Sequence, residues 1–348
     1  MAKQFEHDVL HTFKKHQKTF TANIHNGSSF LSAARRHGAI KRMGVSGRTI
    51  VRNALTAETG NIGHFEGKER VQHTAEEPFE GHEYKWHWMY AKLALAETEL
   101  QINSGSEKIM DMVQNEVRRN EFDFRDRLNK VSLFRKAKYA SDFNVTTAKL
   151  GDGLPDIVFT NTAGTTFGQG ALGGLTRSAA ANAWFRNQGQ AVGASIGFDL
   201  QKLFRNCTRN GIKPGVFFTG FNGYGIIADS EEAKKRNIQN VITSGRKPPK
   251  FSAGYDGLLF NGMEVVWDHD LEESATIGNS ANKGVGYMVS TEWWHVVEGK
   301  PWTFHMMDWD KPTGGSEVFA RETTILHSYS HWHDMPRTCG VAVQIATS

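Results

Sequence analysis

Two strand-like limbs joined by a long polar loop, followed at once by one long amphipathic helix, together span Val45 to Lys136 and constrain this chain more than any other feature. The first limb, Val45 to Arg52, sets β-branched residues among polar ones. The return limb, Tyr84 to Ile102, has the period of a strand, with Trp86, Trp88 and Tyr90 on one face and Met89, Ala91, Leu93 and Leu95 on the other. Between them Ala57 to Glu83 is rich in Gly, Glu and His, holds isolated Phe65 and Phe79, and follows neither the helical nor the strand period. Such a segment buries little within its own subunit, and a loop of this length without internal structure is usually functional or disordered. The strands at its base predict an arm held out to touch another molecule.

The helix after the arm opens on Ser104-Gly105-Ser106-Glu107, the spacing of a capping box. Ile109, Met112, Val113, Val117, Asn120, Phe124, Leu128 and Val131 then recur as one stripe, opposite Arg118, Arg119, Asp123, Arg125, Asp126 and Arg127. About 30 residues at 1.5 Å each predict a rod of roughly 45 Å, the length of a spine rather than of an ordinary domain helix.

In this order, Ser46 to Arg52, Gly67 to Pro78, Leu93 to Leu100, Asn103 to Ser106 and the spine helix resemble the major capsid proteins of tailed bacteriophages, the Hong Kong ninety-seven fold. Gly173 to Arg177 followed by Trp184 to Asn187, the strand Met263 to Asp268 and the aromatic strand Tyr287 to Val297 extend the resemblance from about Phe30 to the C-terminus. It implies an α+β fold with an extended loop, a long spine helix, a peripheral domain and an axial domain. The implied divisions are an N-terminal arm at 1–44, the extended loop and its base strands at 45–102, and the peripheral domain with the spine at 103–169. The axial domain follows at 170–295, and closing strands at 296–348 return mainly to the peripheral domain. It also implies a structural, non-enzymatic subunit that assembles as hexamers and pentamers into the icosahedral head around double-stranded DNA. Its partners would be itself, separate scaffolding, portal and decoration proteins, and packaged DNA in non-specific contact. Its location would be the virion capsid, assembled in the host cytoplasm. Lys68 and Lys85 lie in or beside the loop, but no acceptor Asn or catalysing Glu can be named, so covalent crosslinking is not predicted.

Charge is uneven. The whole chain is formally +4, yet Met1 to Arg52 carries ten Lys and Arg against two acidic residues. A basic arm can meet phosphates without any base-reading element, which makes Lys14, Lys15, Lys18, Arg35 and Arg36 the interior DNA-facing candidates; the alternative is a clamp on acidic loops of neighbours. Phe65, Glu66, Lys68, Arg70, Phe79 and Trp86, in or beside the arm, are the inter-subunit contact candidates. Cys207 and Cys339, the only cysteines, exclude a disulfide framework and a thiolate metal cluster. No apolar run reaches membrane-spanning length, and Met1 to Phe20 lacks the apolar centre of a signal peptide.

Beyond the spine, the pattern predicts a short strand at Asp156 to Phe159, a loop at Ala163 to Gly174, helices at Phe198 to Asn206 and Gly225 to Arg236, and a strand at Gly215 to Phe218. Further strands are expected at Leu258 to Trp267, Gly286 to Val297, Trp302 to Trp309, Glu317 to Ser330 and Cys339 to Ile345. Gly168 to Gly173 spells a dinucleotide fingerprint, with Asp199 beyond it, but a polar stretch separates it from any strand, so no cofactor is expected. His327, His331 and His333 with Asp334 form the densest set of metal-capable side chains; a metal-dependent enzyme using them is the alternative from another class, and no metal is expected. An encapsulin-like shell around protein cargo is the alternative within the fold. No Gly-x-Ser-x-Gly elbow occurs.

Overall fold

A computed structural model of the chain describes residues 13, 17–45, 47–55, 64, 79–96, 106–160, 166–193, 195–229, 258–274, 284–307 and 320–345. The spine helix runs Ser106–Leu133, about 42 Å at 1.5 Å per residue. Its stripe turns inward as the period predicts: Val113, Phe124, Leu128 and Val131 are buried, Met112 and Val117 pack on the same core, and buried Asn120 donates to the Lys92 carbonyl at 3.4 Å. Arg118, Arg119, Asp123 and Arg127 face solvent. The Ser104 cap and the Ile109 side chain lie outside what is described. Two short helices follow, Lys136–Phe143 and Leu154–Ile157. The second replaces the strand expected at Asp156 to Phe159. Pro155 suits its first turn, and the Asp156 carboxylate accepts the Gly153 amide at 3.2 Å. Gly153 also lies so close to the Phe134 carbonyl that a Cβ there would collide with it.

Two sheets organise the rest. In the first, β1 (Ile40–Gly44), β12 (Trp294–Lys300), β14 (Ala320–His333) and β13 (His305–Met306) run in that order, and β4 (His87–Ala96) pairs along the other edge of β14, where Tyr329 faces both Glu298 and His87. The second sheet has the order β7 (Gln188–Ala191), β15 (Gly340–Ile345), β11 (Gly284–Ser290), β8 (Pro214–Thr219), β10 (Met263–Trp267) and β9 (Leu258–Phe260). Strands β8 and β11 are buried almost throughout, which is why they read as continuous apolar runs rather than alternating ones. Two hairpins stand apart, β2 (Thr49–Leu55) with β3 (Phe79–Lys85), and β5 (Ala171–Leu172) with β6 (Leu175–Thr176). The helix Ile196–Cys207 covers the one expected at Phe198 to Asn206, and Phe221–Asp229 begins four residues before the expected Gly225, the rest of that expectation, 230–236, lying outside the described residues. The run expected as a strand at Gly286 to Val297 is two strands, β11 and β12, in different sheets, and Leu258 to Trp267 is the antiparallel pair β9 and β10. Of the strand expected at Trp302 to Trp309 the described residues hold only β13, Asp308 and Trp309 lying outside them; Phe304 takes a left-handed backbone at φ 47° that no strand continues. The closing strands divide between the sheets, since β15 inserts between β7 and β11.

The N-terminal segment is the largest departure from expectation. The charge pattern predicts a basic arm at 1–44, but residues 17–27 form a helix, α1, and Ser29–Arg36 a second, α2, capped by the Ser28 hydroxyl accepting the Leu31 amide. Phe20, Ile24, Phe30 and Leu31 are buried, and β1 pairs in parallel with β12. Phe304 is the hub of this packing. Phe20 and Phe124 meet its ring edge-on at 5.6 and 5.5 Å, His327 stacks on it at 4.1 Å, and its carbonyl accepts from Gln17 at 3.0 Å. One ring thereby joins α1, the spine helix and the first sheet. A polar junction adds to it: Asn129 of the spine donates to Asp268 and Asp270 at 2.9 and 2.7 Å while accepting from Ser28 at 2.6 Å. No described helix is long and apolar enough to cross a membrane.

Candidate inter-subunit and phosphate-facing surfaces

The β2–β3 ladder runs in unbroken register from Thr49↔Lys85 to Leu55↔Phe79 and carries the extended loop at its far end. Its base is fixed to the subunit. Tyr84 stacks on Trp332 at 5.5 Å, His82 packs edge-on against Phe185 at 5.3 Å, and the Glu83 amide donates to the Gly173 carbonyl at 2.9 Å. Of the contact candidates, Phe65, Glu66, Lys68 and Arg70 fall outside the described residues, and Phe79 closes the ladder with its side chain undescribed.

Trp86 has to be corrected. It is 8% exposed and part of the subunit's own core, so it is not an anchor for a neighbour. The single residue between β3 and β4 resets the alternation: His82, Tyr84 and Trp86 point inward, then His87 and Leu93 do, one residue out of step. A one-residue slip moves every later side chain to the opposite face. Trp88 and Tyr90 are therefore turned outward, 47% and 67% exposed, with Trp302 edge-on to Trp88 at 6.0 Å.

The histidine cluster is spent on packing. Nδ1 of His331 faces the Asp152 carbonyl at 3.1 Å and must donate to it, so Nε2 accepts from Trp294 Nε1 at 2.7 Å. His333 has the other tautomer, donating from Nε2 to the Ser290 carbonyl at 2.9 Å while Nδ1 accepts the Met335 amide at 3.1 Å. In these two rings the single lone pair is occupied, leaving none for a metal, while His327 stacks on Phe304 and Tyr329. Burial holds His331 neutral down to about 3, and His333 and His327 down to about 4. Asp334 pairs with His295 at 2.9 Å, and no metal-capable group of three occurs among the described residues.

The glycine-rich run has no dinucleotide context either. Gly168 to Gly173 leads into the β5–β6 hairpin, not a helix. Its Gly170 carbonyl accepts from buried Arg177 at 2.6 Å, and Arg177 also takes the carbonyls of Ile157 and Asp156 at 2.6 and 2.8 Å. The loop thus presents a carbonyl to an internal cation instead of amides to a phosphate. Burial lowers the Arg177 pKa to about 10.

Among the basic candidates, Lys14 and Lys15 lie outside the described residues. Arg36 is already engaged by the Glu264 carboxylate, which His37 also meets at 2.9 Å, so its charge is neutralised within the subunit. Lys18 and Arg35 are exposed and share one recess with Arg42. No residue type along the sequence marks that convergence, because it needs α1, α2 and β1 to be docked.

No family model and no curated protein matches the sequence. Solved structures do. The capsid of Cyanophage A-1(L) aligns over 90% of this chain and 93% of its own, with 13% identity and a TM-score of 0.57. The chain has the phage major capsid fold. The capsid of a native GTA particle, which shares this capsid fold, aligns over 91% and 90% with 11% identity and a TM-score of 0.53. An encapsulin complex from Synechococcus elongatus aligns over 88% and 85% with 11% identity and a TM-score of 0.47. In the capsid fold the spine helix was legible from its period, whereas the inward Trp86, the outward Trp88 and Tyr90, and the strands β1, β3 and β7 were not.

Proposed function

We propose that this chain is a structural shell subunit, the major capsid protein of a tailed phage, assembling as hexamers and pentamers into an icosahedral head around double-stranded DNA. The end-to-end alignment with a phage capsid subunit, covering 90% of this chain and 93% of that one, carries the reading. Among the described residues the lone pairs of His331 and His333 are taken by Trp294 and the Met335 amide, and the glycine loop gives its Gly170 carbonyl to Arg177. In this reading the loop beyond β2 and β3 reaches over a neighbouring subunit, with Phe65, Glu66, Lys68, Arg70 and Phe79 as contacts. Many modest interfaces repeated by symmetry supply the stability of the shell. Lys14, Lys15, Lys18 and Arg35 face the interior and touch DNA through phosphates, and scaffolding, portal and decoration proteins are separate chains.

Negative-stain microscopy of the purified chain, with analysis of whatever co-purifies, tests the proposal. Closed shells or capsomer rings are expected, with nucleic acid in particles from infected cells. Deleting residues 60–78, beyond the described ladder, is expected to leave a folded subunit by circular dichroism but no closed shells. A monodisperse monomer under assembly conditions, or full-sized shells from the deletion, contradicts the shell or the loop respectively. Protein cargo in place of DNA would move the chain to the encapsulin-like alternative.

A further inference from the structure

Between α1, α2 and β1 the fold gathers more positive charge than the described carboxylates neutralise. The recess, of about 330 Å³, is lined by Lys18, Thr21 and His25 of α1, Arg35 of α2 and Arg42 of β1, with Glu298 of β12 as the only acidic wall among the described residues. That volume falls at the small end of ligand pockets, which run from about 300 to 1,000 Å³. Three permanent cations against one carboxylate leave an excess of two positive charges.

The carboxylate is already committed. Glu298 is 3% exposed; one oxygen is 2.6 Å from His25 Nε2 and the other accepts from Arg42 Nε at 3.3 Å. Burial alone would raise its pKa, but the hydrogen bond from His25 and the surrounding positive charge hold it at about 2. Glu298 therefore acts as a fixed buried anion that ties down Arg42 by Nε and leaves the two terminal nitrogens without a hydrogen bond to it. Arg35 donates to a neutral partner, Asn26 Oδ1, at 3.0 Å. Lys18 is exposed and meets no carboxylate among the described residues. One guanidinium pinned by a buried carboxylate, a second guanidinium and an ammonium around one recess are the donors that a tetrahedral oxyanion needs: forks for paired oxygens and a mobile point charge.

We propose that this recess is a phosphate seat, taking one phosphate group of a nucleic-acid backbone or free inorganic phosphate. The nucleic-acid source rests on the shell-subunit reading, which it deepens by naming a place where DNA is held; the seat itself does not depend on that reading.

The test uses the full-length chain as wild type, as Lys18→Gln with Arg35→Gln, and as a control pair, Lys202→Gln with Arg205→Gln, on the exposed side of the Ile196–Cys207 helix. One arm measures binding of a mixed-sequence DNA duplex by anisotropy between about 50 and 200 mM salt. Losing one phosphate contact flattens the log–log salt slope by about 0.9, so the drop in affinity across that fourfold range shrinks by about 3.5-fold. The other arm measures the rise in melting temperature with inorganic phosphate against chloride at matched ionic strength. The recess variant is expected to lose the effect in at least one arm, the arm identifying the source, while the control pair behaves as wild type. Lys18→Arg with Arg35→Lys, which keeps both charges, is expected to restore it. Wild-type behaviour of a folded recess variant in both arms overturns the proposal. Microscopy of the same wild-type preparation separates the two ideas: phosphate binding at this seat without shells would remove the shell reading and leave the seat standing.

Discussion

Phe124→Ala probes the contact on which α1, the spine helix and the first sheet converge. Phe124 is 2% exposed and meets Phe304 edge-on, with ring centroids 5.5 Å apart and planes at 87°. Truncating a buried Phe to Ala costs about 3–5 kcal/mol, the lost transfer energy plus the cavity left behind. The edge-on pair accounts for about 0.5–1.5 kcal/mol of coupling within that. Unfolding entropy near 60 °C is about 2.1 cal/mol/K per residue, hence about 0.7 kcal/mol/K for this chain, so the melting temperature of the unassembled subunit is expected to fall by about 4–7 °C. Asp123→Ala, one residue away on the solvated face, should move it by less than about 1 °C, since exposed substitutions usually stay within about 0.5 kcal/mol. Calorimetry or circular dichroism melting of both variants, with Phe304→Ala and the double variant to complete a cycle, isolates the pair. A Phe124→Ala subunit that melts with the wild type, or additive effects of Phe124→Ala and Phe304→Ala, would refute the hub.

Leu128→Asp is expected to abolish soluble subunit, because it puts an unpaired carboxylate in the stripe, whereas Arg119→Ala on the solvated face should keep wild-type yield; equal yields would refute the helical register. His327→Phe should flatten the pH dependence of stability. Burial lowers the folded pKa of His327 from 6.5 to about 4, with Glu298 only partly offsetting it, so its penalty is absent above pH 6.5 and grows as pH falls from 6.5 to about 4. Its share of the slope is about 1.4 kcal/mol per pH unit, so chemical-denaturation profiles of the variant should lose that share while His87, His331 and His333, also kept neutral by burial, retain theirs; an unchanged slope would exclude His327 as a contributor. Arg177→Leu should cost about 3 kcal/mol or more, because the carbonyls of Gly170, Ile157 and Asp156 lose their shared donor; a melting temperature within 1 °C of wild type would contradict it.

The architecture was legible wherever a local period carries it. The stripe from Val113 to Val131 is one face of a helix whatever it packs against, but the first limb pairs with β3, most of which lies in the segment without a period, while the alternating return limb is β4 and pairs with β14 instead. Side-chain direction in β3 and β4 was a different matter. Trp86 looks like a partner of Trp88 by count, but a single residue between two strands reverses the parity, and only pairing of β3 with β2 and of β4 with β14 decides where that residue falls. The N-terminal segment shows the same division. Its ten basic side chains are plain in the sequence, yet whether it is an arm or part of the core depends on Phe20, Ile24 and Phe30 finding Phe304, Phe218 and Trp294, residues close to 200 or more positions away in the chain. His331 and His333 could be ligands until Trp294, Ser290 and Asp152 are brought to their nitrogens by the sheet. Period, composition and capping are properties of neighbours along the chain and were readable there; burial, tautomer and the convergence of Lys18, Arg35 and Arg42 on one recess are properties of distant segments in contact, and only the tertiary structure could decide them.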